Sequence, residues 1–241
     1  MYTSVTKDTI LVSLMSINNE TGYRLPLDCV ATAIKRAESP AFFHCDNVQG
    51  FMKDIINPKK LGIDLMSISG HKVHAPKGVG ALYVAKGKRI KPLMFGGGQE
   101  NSMRVGTENM AGICAFAQAV KSYKKNPEIK ELNRFLREEL SQFSQIEINS
   151  PDNASPYILN FSLGKIKGET MLHFLAEREI FVSTGSACSG SKASHVLQNM
   201  GLEKEKIETS LRISFSNDNN KEDIIALIKA LKEGFKNLAH N

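Results

Sequence analysis

The sequence predicts an α/β fold, with a mostly parallel sheet over residues 1–120 and a smaller α+β domain over residues 121–241. Three observations carry this. Short apolar runs alternate with helix-patterned segments in the first half, as in sheets covered on both faces. Those runs close on small or acidic residues, Asp46 and Ser69, where parallel sheets present ligand-binding groups. After about residue 143 the pattern changes to isolated short strands around a few helices.

In order, Ile10–Met15 reads as a buried strand and Leu27–Glu38 as a helix with apolar residues at helical spacing. Ala41–Asp46, Ile63–Ser69 and Gly78–Ala85 follow as three more strands. Lys91–Arg104, with Gly96-Gly97-Gly98, reads as a tightly turned loop. Thr107 to Lys125 is expected to be helical with Thr107 as N-cap, and Pro127–Phe143 is a second, charged helix. In the second half, strands are expected near Ile146–Ile148, Tyr157–Leu163, Phe181–Val182 and Ser210–Ser216, with a helix at Glu169–Glu179. Lys221–Leu238 closes the chain as an amphipathic helix capped by Asn219 or Asn220. The first strand arrives at residue 10 with nothing before it to cover it, so the large domain reads as incomplete.

Composition narrows the function classes. Apolar residues make up 41% and charged residues 23%, an ordinary globular balance. No apolar run approaches the roughly 18–20 residues that span a bilayer, and Met1–Asp8 lacks a signal-peptide core. A cytoplasmic protein with no membrane role is expected. The net charge of +6 comes from lysines scattered over helix faces such as Lys121 to Lys130, and Trp is absent. A nucleic-acid surface would instead need a basic stripe interleaved with aromatics. The four cysteines form no Cys-x-x-Cys pair and have no zinc-type partners, so no metal site is expected. Cys29, Cys45 and Cys114 sit among apolar residues and read as buried free thiols, whereas Cys188 lies among small residues in an accessible loop.

Pyridoxal phosphate (PLP) chemistry needs a Schiff-base lysine, a carboxylate facing the pyridine nitrogen, and donors for the phosphate. Lys72, just past one strand, and Asp46, at the end of another, can supply the first two. Ser69 and His71 flank the lysine, and Gln49 stands one turn beyond Asp46. Taken singly, each has an ordinary reading as a cap, a solvated charge or a satisfied polar group. Their joint occurrence in this order reverses that.

Ile63-Asp-Leu-Met-Ser-Ile-Ser-Gly-His-Lys72 followed by Gly78-Val-Gly80 resembles the PLP-lysine signature of class V aminotransferase-like proteins, and within them the chain resembles the cysteine desulfurases. Further matching segments are Ile17-Asn-Asn-Glu-Thr-Gly22, His44-Cys-Asp-Asn-Val-Gln49 and Gly96–Glu100 with Arg104-Val-Gly-Thr107. Ser186-Ala-Cys188 with Ser194-His-Val-Leu197, and Leu211-Arg212-Ile-Ser214, complete the set.

The resemblance implies an incomplete PLP-transferase-like large domain and a reaction that converts L-cysteine to L-alanine, leaving the sulfur on an enzyme cysteine. Lys72 would form the Schiff base, Asp46 pair with the pyridinium, and Gln49 bond the ring oxygen. Ser69 and His71 would bind phosphate, and Thr107 the phosphate of a neighbouring subunit in a homodimer. Asn19 and Arg212 would orient the substrate, Arg212 by a bidentate grip on its carboxylate. Cys188 would be the nucleophile and persulfide carrier, passing sulfur to an acceptor protein, with iron–sulfur cluster assembly among the uses. Two other readings are a selenocysteine lyase and a non-catalytic remnant or dimerising scaffold of the same fold. The resemblance also implies roughly a hundred or more residues ahead of the segment matching Ile10. Those would carry a cofactor-stacking aromatic and part of the phosphate cradle, and without them PLP binding should weaken and apolar sheet should be exposed.

Overall fold

The computed structural model describes residues 3–185 and 194–238, which divide into two compact units: residues up to 17 with 25–125, and residues 18–24 with 126–238.

The first unit is built on a four-stranded sheet in the order β1-β2-β3-β4 (Leu11–Met15, Phe42–Asp46, Leu65–Ser69, Gly80–Val84). β1, β2 and β3 run parallel, with Met15 opposite Asp46 and Asp46 opposite Ser67. β4 returns antiparallel to β3, pairing Ser69 with Gly80. The period of two separates the faces of β2. Phe43 and Cys45 point into an apolar cluster with Leu27, Val30 and Ile63, joined by Val12, Leu14 and Met66 from neighbouring strands. Leu27 and Val30 belong to the segment entering helix α1 (Asp28–Arg36), which covers that face. The alternate residue His44 lies on the opposite face, where its Nδ1 meets Ser13 Oγ at 2.7 Å and its Nε2 meets Ser67 Oγ at 2.8 Å.

Helix α2 (Pro58–Leu61) is capped by Asn57, whose side chain accepts from the Lys60 N–H, and ends at Gly62 in the left-handed region. Helix α3 (Met110–Ser122) packs on the 3₁₀ turn Gly70–Val73. Its start corrects the sequence expectation. Thr107 is not the N-cap; Asn109 is, with its carboxamide oxygen accepting from Gly112 N–H at 3.0 Å. Gly112 permits this, because a Cβ there would lie 2.5 Å from Asn109 Nδ2. The loop before it turns through Glu100, Asn101 and Ser102, all left-handed.

The second unit holds an antiparallel sheet in the order β5-β6-β7 (Glu147–Ile148, Ile158–Ser162, Ser210–Ser214). All five residues of β6 are buried. Helices α4 (Ile129–Ser141), α5 (Gly168–Ala176) and α8 (Lys221–Leu238) bury Leu136, Leu140, Met171, Leu175 and Leu231 in its core. Helix α8 is capped reciprocally: Asn220 Oδ1 accepts from Asp223 N–H, and Asp223 Oδ2 accepts from Asn220 N–H. Short helices α6 (His195–Asn199) and α7 (Lys204–Glu208) were not expected from the sequence, being too short to show a period. The expected strand at Phe181–Val182 does not form. Glu179 is left-handed, Phe181 is 83% exposed, and pairing begins only at Ser183, in a single bridge to Arg212.

The cysteine expectation needs a second correction. Cys45 is buried, but Cys29 is half-buried and Cys114 is exposed on α3, because α3 leaves that flank without a covering layer. Every residue of β4 is likewise exposed, with Leu82, Tyr83 and Val84 offering apolar surface on an edge strand. Among the described residues, no helix is long and apolar enough to cross a membrane.

β4 can lie against β3 only because residue 80 is glycine, since a Cβ there would sit 2.5 Å from the Ile68 carbonyl oxygen. Gly80→Ala is therefore expected to lower unfolding free energy by about 1–3 kcal/mol in a urea titration, whereas Gly98→Ala, with no atom within 4 Å of the added carbon and a negative φ, escapes that clash.

Candidate functional site

Two groups of the sequence-selected residues are resolved, one in each unit. In the first, the carboxyl ends of β2 and β3 carry them. Asp46 closes β2 with its backbone locked on both sides: its carbonyl accepts from Ser16 N–H at 2.8 Å, and the next residue, Asn47, donates its N–H to the Ser67 carbonyl at 2.9 Å. Asp46 Oδ1 accepts from Val48 N–H at 2.9 Å, an Asx turn that fixes the carboxylate and leaves Oδ2 for a further donor. Gln49 lies half-buried in the turn that follows.

That turn contains residues the sequence reading passed over. Asn47 and Ser16 are 3% and 5% exposed, and Ser16 Oγ donates to Asn47 Oδ1 at 2.8 Å. Gly50 makes room for them: a Cβ at Gly50 would come within 2.4 Å of Asn47 Oδ1 and 2.6 Å of Ser16 Oγ. Asn47 and Gly50 are thus interdependent, and together they brace the backbone that carries Asp46. A sequence pattern does not show this, because the volume in question is shared across three separate positions.

Ser69 ends β3 and its Oγ lies 2.7 Å from His71 Nδ1. Lys72 follows in the 3₁₀ turn, half-buried, and the turn is anchored by Gly70 N–H donating to the Val79 carbonyl at 2.9 Å. Gly70 lets the chain pack closely here, since a Cβ would press on Val79 and Ala75 at 3.0–3.1 Å. The surroundings are cationic. Desolvation, then the charges of Lys72 and Lys77, hold the His71 imidazole below its ordinary pKa. Lys53, in the segment after Gln49, is pushed down to about 8 by burial first and by the Lys72 charge second, partly offset by Asp54. Thr107 is exposed, two residues before the α3 cap.

In the second unit, Arg212 sits mid-strand on β7. Its Nη1 donates to the Asn19 carbonyl at 3.0 Å, while its Nε is buried without a partner. Burial lowers its pKa, and the neighbouring Glu20 carboxylate pulls the other way. A buried guanidinium with an unused N–H is a receptor for a carboxylate. Asn160, the direct cross-strand neighbour of Arg212, also keeps a buried amide nitrogen without a partner. Asn19 contributes its backbone to Arg212 by the bond already given. Cys188 lies outside the described residues.

The Aminotransferase class-V model matches residues 1–227. The chain belongs to this family. It is 41% identical over 227 residues to a cysteine desulfurase IscS of Dictyoglomus turgidum, covering 90% of this chain and 57% of that protein. It is 40% identical over 244 residues to a cysteine desulfurase IscS of Clostridium botulinum, covering 97% and 61%. A solved NifS-like protein superposes with a TM-score of 0.87 at 33% identity, over 98% of this chain and 63% of that one. The NifS-like protein of Rickettsia africae gives 0.85 at 33% identity, over 98% and 64%. The fold is thus the NifS-like α/β fold, and this class-V chain spans about three-fifths of the relatives it matches.

The donor set of the first unit suits PLP. Asp46 has a free carboxylate oxygen for a ring N–H, and Ser69, His71, Lys72 and Lys77 concentrate hydrogen-bond donors and positive charge where a phosphate can be held. Among the described residues no group of three or more His, Cys, Asp or Glu could hold a metal ion.

Two outcomes test this electrostatic reading. In an NMR titration His71 should ionise below 6.5, and millimolar phosphate or PLP should raise its pKa, because an added anion opposes Lys72 and Lys77. For Lys53 the folded value of about 8 lies below the ordinary 10.5, so between them the unfolded chain binds more protons and stability rises with pH. The unfolding free energy of the unaltered chain minus that of Lys53→Met should therefore climb across that window by up to about 1.4 kcal/mol per pH unit. A flat difference would contradict the depressed value.

Proposed function

We propose that this chain carries the catalytic residues of a PLP-dependent cysteine desulfurase, which converts L-cysteine to L-alanine and retains the sulfur as a persulfide. The observation that carries the reading is the pairing of two receptors in one desulfurase-like sequence: a fixed strand-end carboxylate beside a Lys72-centred cationic cluster, and a buried Arg212 with an unused donor.

Bound at Lys72, PLP supplies an electron sink that makes the Cα proton of an amino acid acidic. Asp46 accepts the ring N–H through its free oxygen and so keeps the ring protonated. Gln49 donates to the ring oxygen, and Ser69 and His71, with Thr107 from a second copy of the chain in a homodimer, hold the phosphate. Arg212 grips the substrate carboxylate and Asn19 helps orient it. Lys72 takes the Cα proton and returns it. The Cys188 thiolate attacks the substrate sulfur; an S–S bond forms, the substrate C–S bond breaks with its electron pair left on carbon, and protonation there yields alanine. The persulfide is then available to an acceptor protein, in a cytoplasmic setting consistent with free thiols.

The exposed apolar edge at β4 favours one refinement: this chain needs covering chain, from its own polypeptide or a partner, before it holds PLP tightly.

Borohydride reduction of the chain with PLP, followed by peptide mass spectrometry, should place the pyridoxyl group on Lys72, with labelling lost in Lys72→Ala. Cys188→Ala should keep that label and lose persulfide formation from cysteine. Labelling spread evenly over the lysines would sink the assignment, and persistent persulfide formation in Cys188→Ala would remove Cys188 from it. Cleavage of selenocysteine that survives Cys188→Ala would point instead to selenocysteine lyase activity.

A further inference from the structure

Asn19 carries a role in the reading above, but its neighbour Glu20 does not, and Glu20 is the more deeply buried: the residue is 2% exposed. It sits on a turn held from several sides within the second unit. Asn18 Oδ1 accepts from the Glu20 and Thr21 N–H groups at 2.9 and 3.0 Å. Ser150 Oγ donates to the Thr21 carbonyl at 2.6 Å, and Arg212 donates to the Asn19 carbonyl. A buried carboxylate on so fixed a turn needs a partner and a reason.

Its partner is Ser194, whose hydroxyl donates to Glu20 Oε2 while accepting from Leu197 N–H as the N-cap of α6. A Cβ placed at Gly185 would lie 3.7 Å from the same Oε2. Gly185 is the last residue described before the segment that contains Cys188, and Ser194 is the first after it. The Gly185 stem is itself tied to Arg212: Ser183 Oγ donates to the Gly185 carbonyl at 2.9 Å, and Ser183 and Arg212 exchange backbone hydrogen bonds.

We propose that Glu20 is a positioning residue that ties the Ser194 stem of the cysteine-bearing segment to the turn that Arg212 grips, while Ser183 and Arg212 tie the Gly185 stem to the same turn. A carboxylate does this better than a carboxamide or hydroxyl would, because a hydrogen bond to a charged acceptor is roughly twice as strong as a neutral one. The consequence for sulfur transfer rests on the proposed role of Cys188. The test needs neither cofactor nor turnover, so its failure and the failure of that role are distinguishable.

Ser194→Asp keeps a capping side chain but sets a second carboxylate against Glu20. Amide hydrogen exchange at 195–197, and alkylation of Cys188 by iodoacetamide, should each accelerate about fivefold or more, with exchange at 183–185 within about twofold and Cys114 on α3 unchanged as internal references. Adding Glu20→Gln, whose carboxamide can donate to the introduced carboxylate, should return both to within about twofold of the unaltered chain. If Ser194→Asp does not fold, recovery of folding by Glu20→Gln supports the pairing, and no recovery overturns it. The proposal is also overturned if 195–197 does not respond, if Cys188 alkylation stays unchanged while 195–197 loosens, or if Glu20→Gln gives no relief.

Discussion

The parallel pairing of β1, β2 and β3 is the constraint on which the first unit's chemistry depends. It sets Met15, Asp46 and Ser67 in one row, so the chain leaving β2 must turn at the sheet's carboxyl edge with its polar groups satisfied. Ser16 and Asn47 satisfy them, and their hydrogen bond fills the space that Gly50 leaves open. The Asp46 carboxylate is therefore held before any ligand arrives, which suits its proposed place as the acceptor of a ring N–H.

The antiparallel return of β4 does equivalent work for Lys72. Gly70 and Gly80 allow backbone to approach backbone, and the 3₁₀ turn that results puts Lys72 half-buried among other cations. Lys72 opposes the charge of Lys53, and Lys72 with Lys77 opposes a charge on His71, repulsions that an entering anion would offset. The second unit follows the same logic with the sign reversed: Arg212 is buried with one N–H unused, and Glu20 supplies nearby negative charge without occupying that donor.

Much of this was legible in the residues. The four strands of the first unit begin and end within a residue or two of the apolar runs, because each run is short and closed by small or polar residues. Asp46, Ser69, His71 and Lys72 could be singled out because their order and spacing are local, and Arg212 because Leu211-Arg212-Ile-Ser214 resembles a contiguous desulfurase segment. Where local signals competed, the reading failed. Thr107 and Asn109 are both capping residues, and only the close approach to Gly112 selects Asn109. Phe181–Val182 has strand composition, but the left-handed Glu179 just before it delays pairing until Ser183. Cys114 is apolar in context, yet nothing in its own segment tells whether another layer covers α3.

The sequence by itself determined the family, the strand ends and the types of chemical group at them, since these are carried by contiguous residues. Only the tertiary structure decided which groups are tied to which. Ser194 and Glu20 are 174 positions apart, and Ser16 and Asn47 are 31 apart. No local pattern reports such a bond, because it exists only when folding removes both partners from water and leaves each the other's available hydrogen-bonding group.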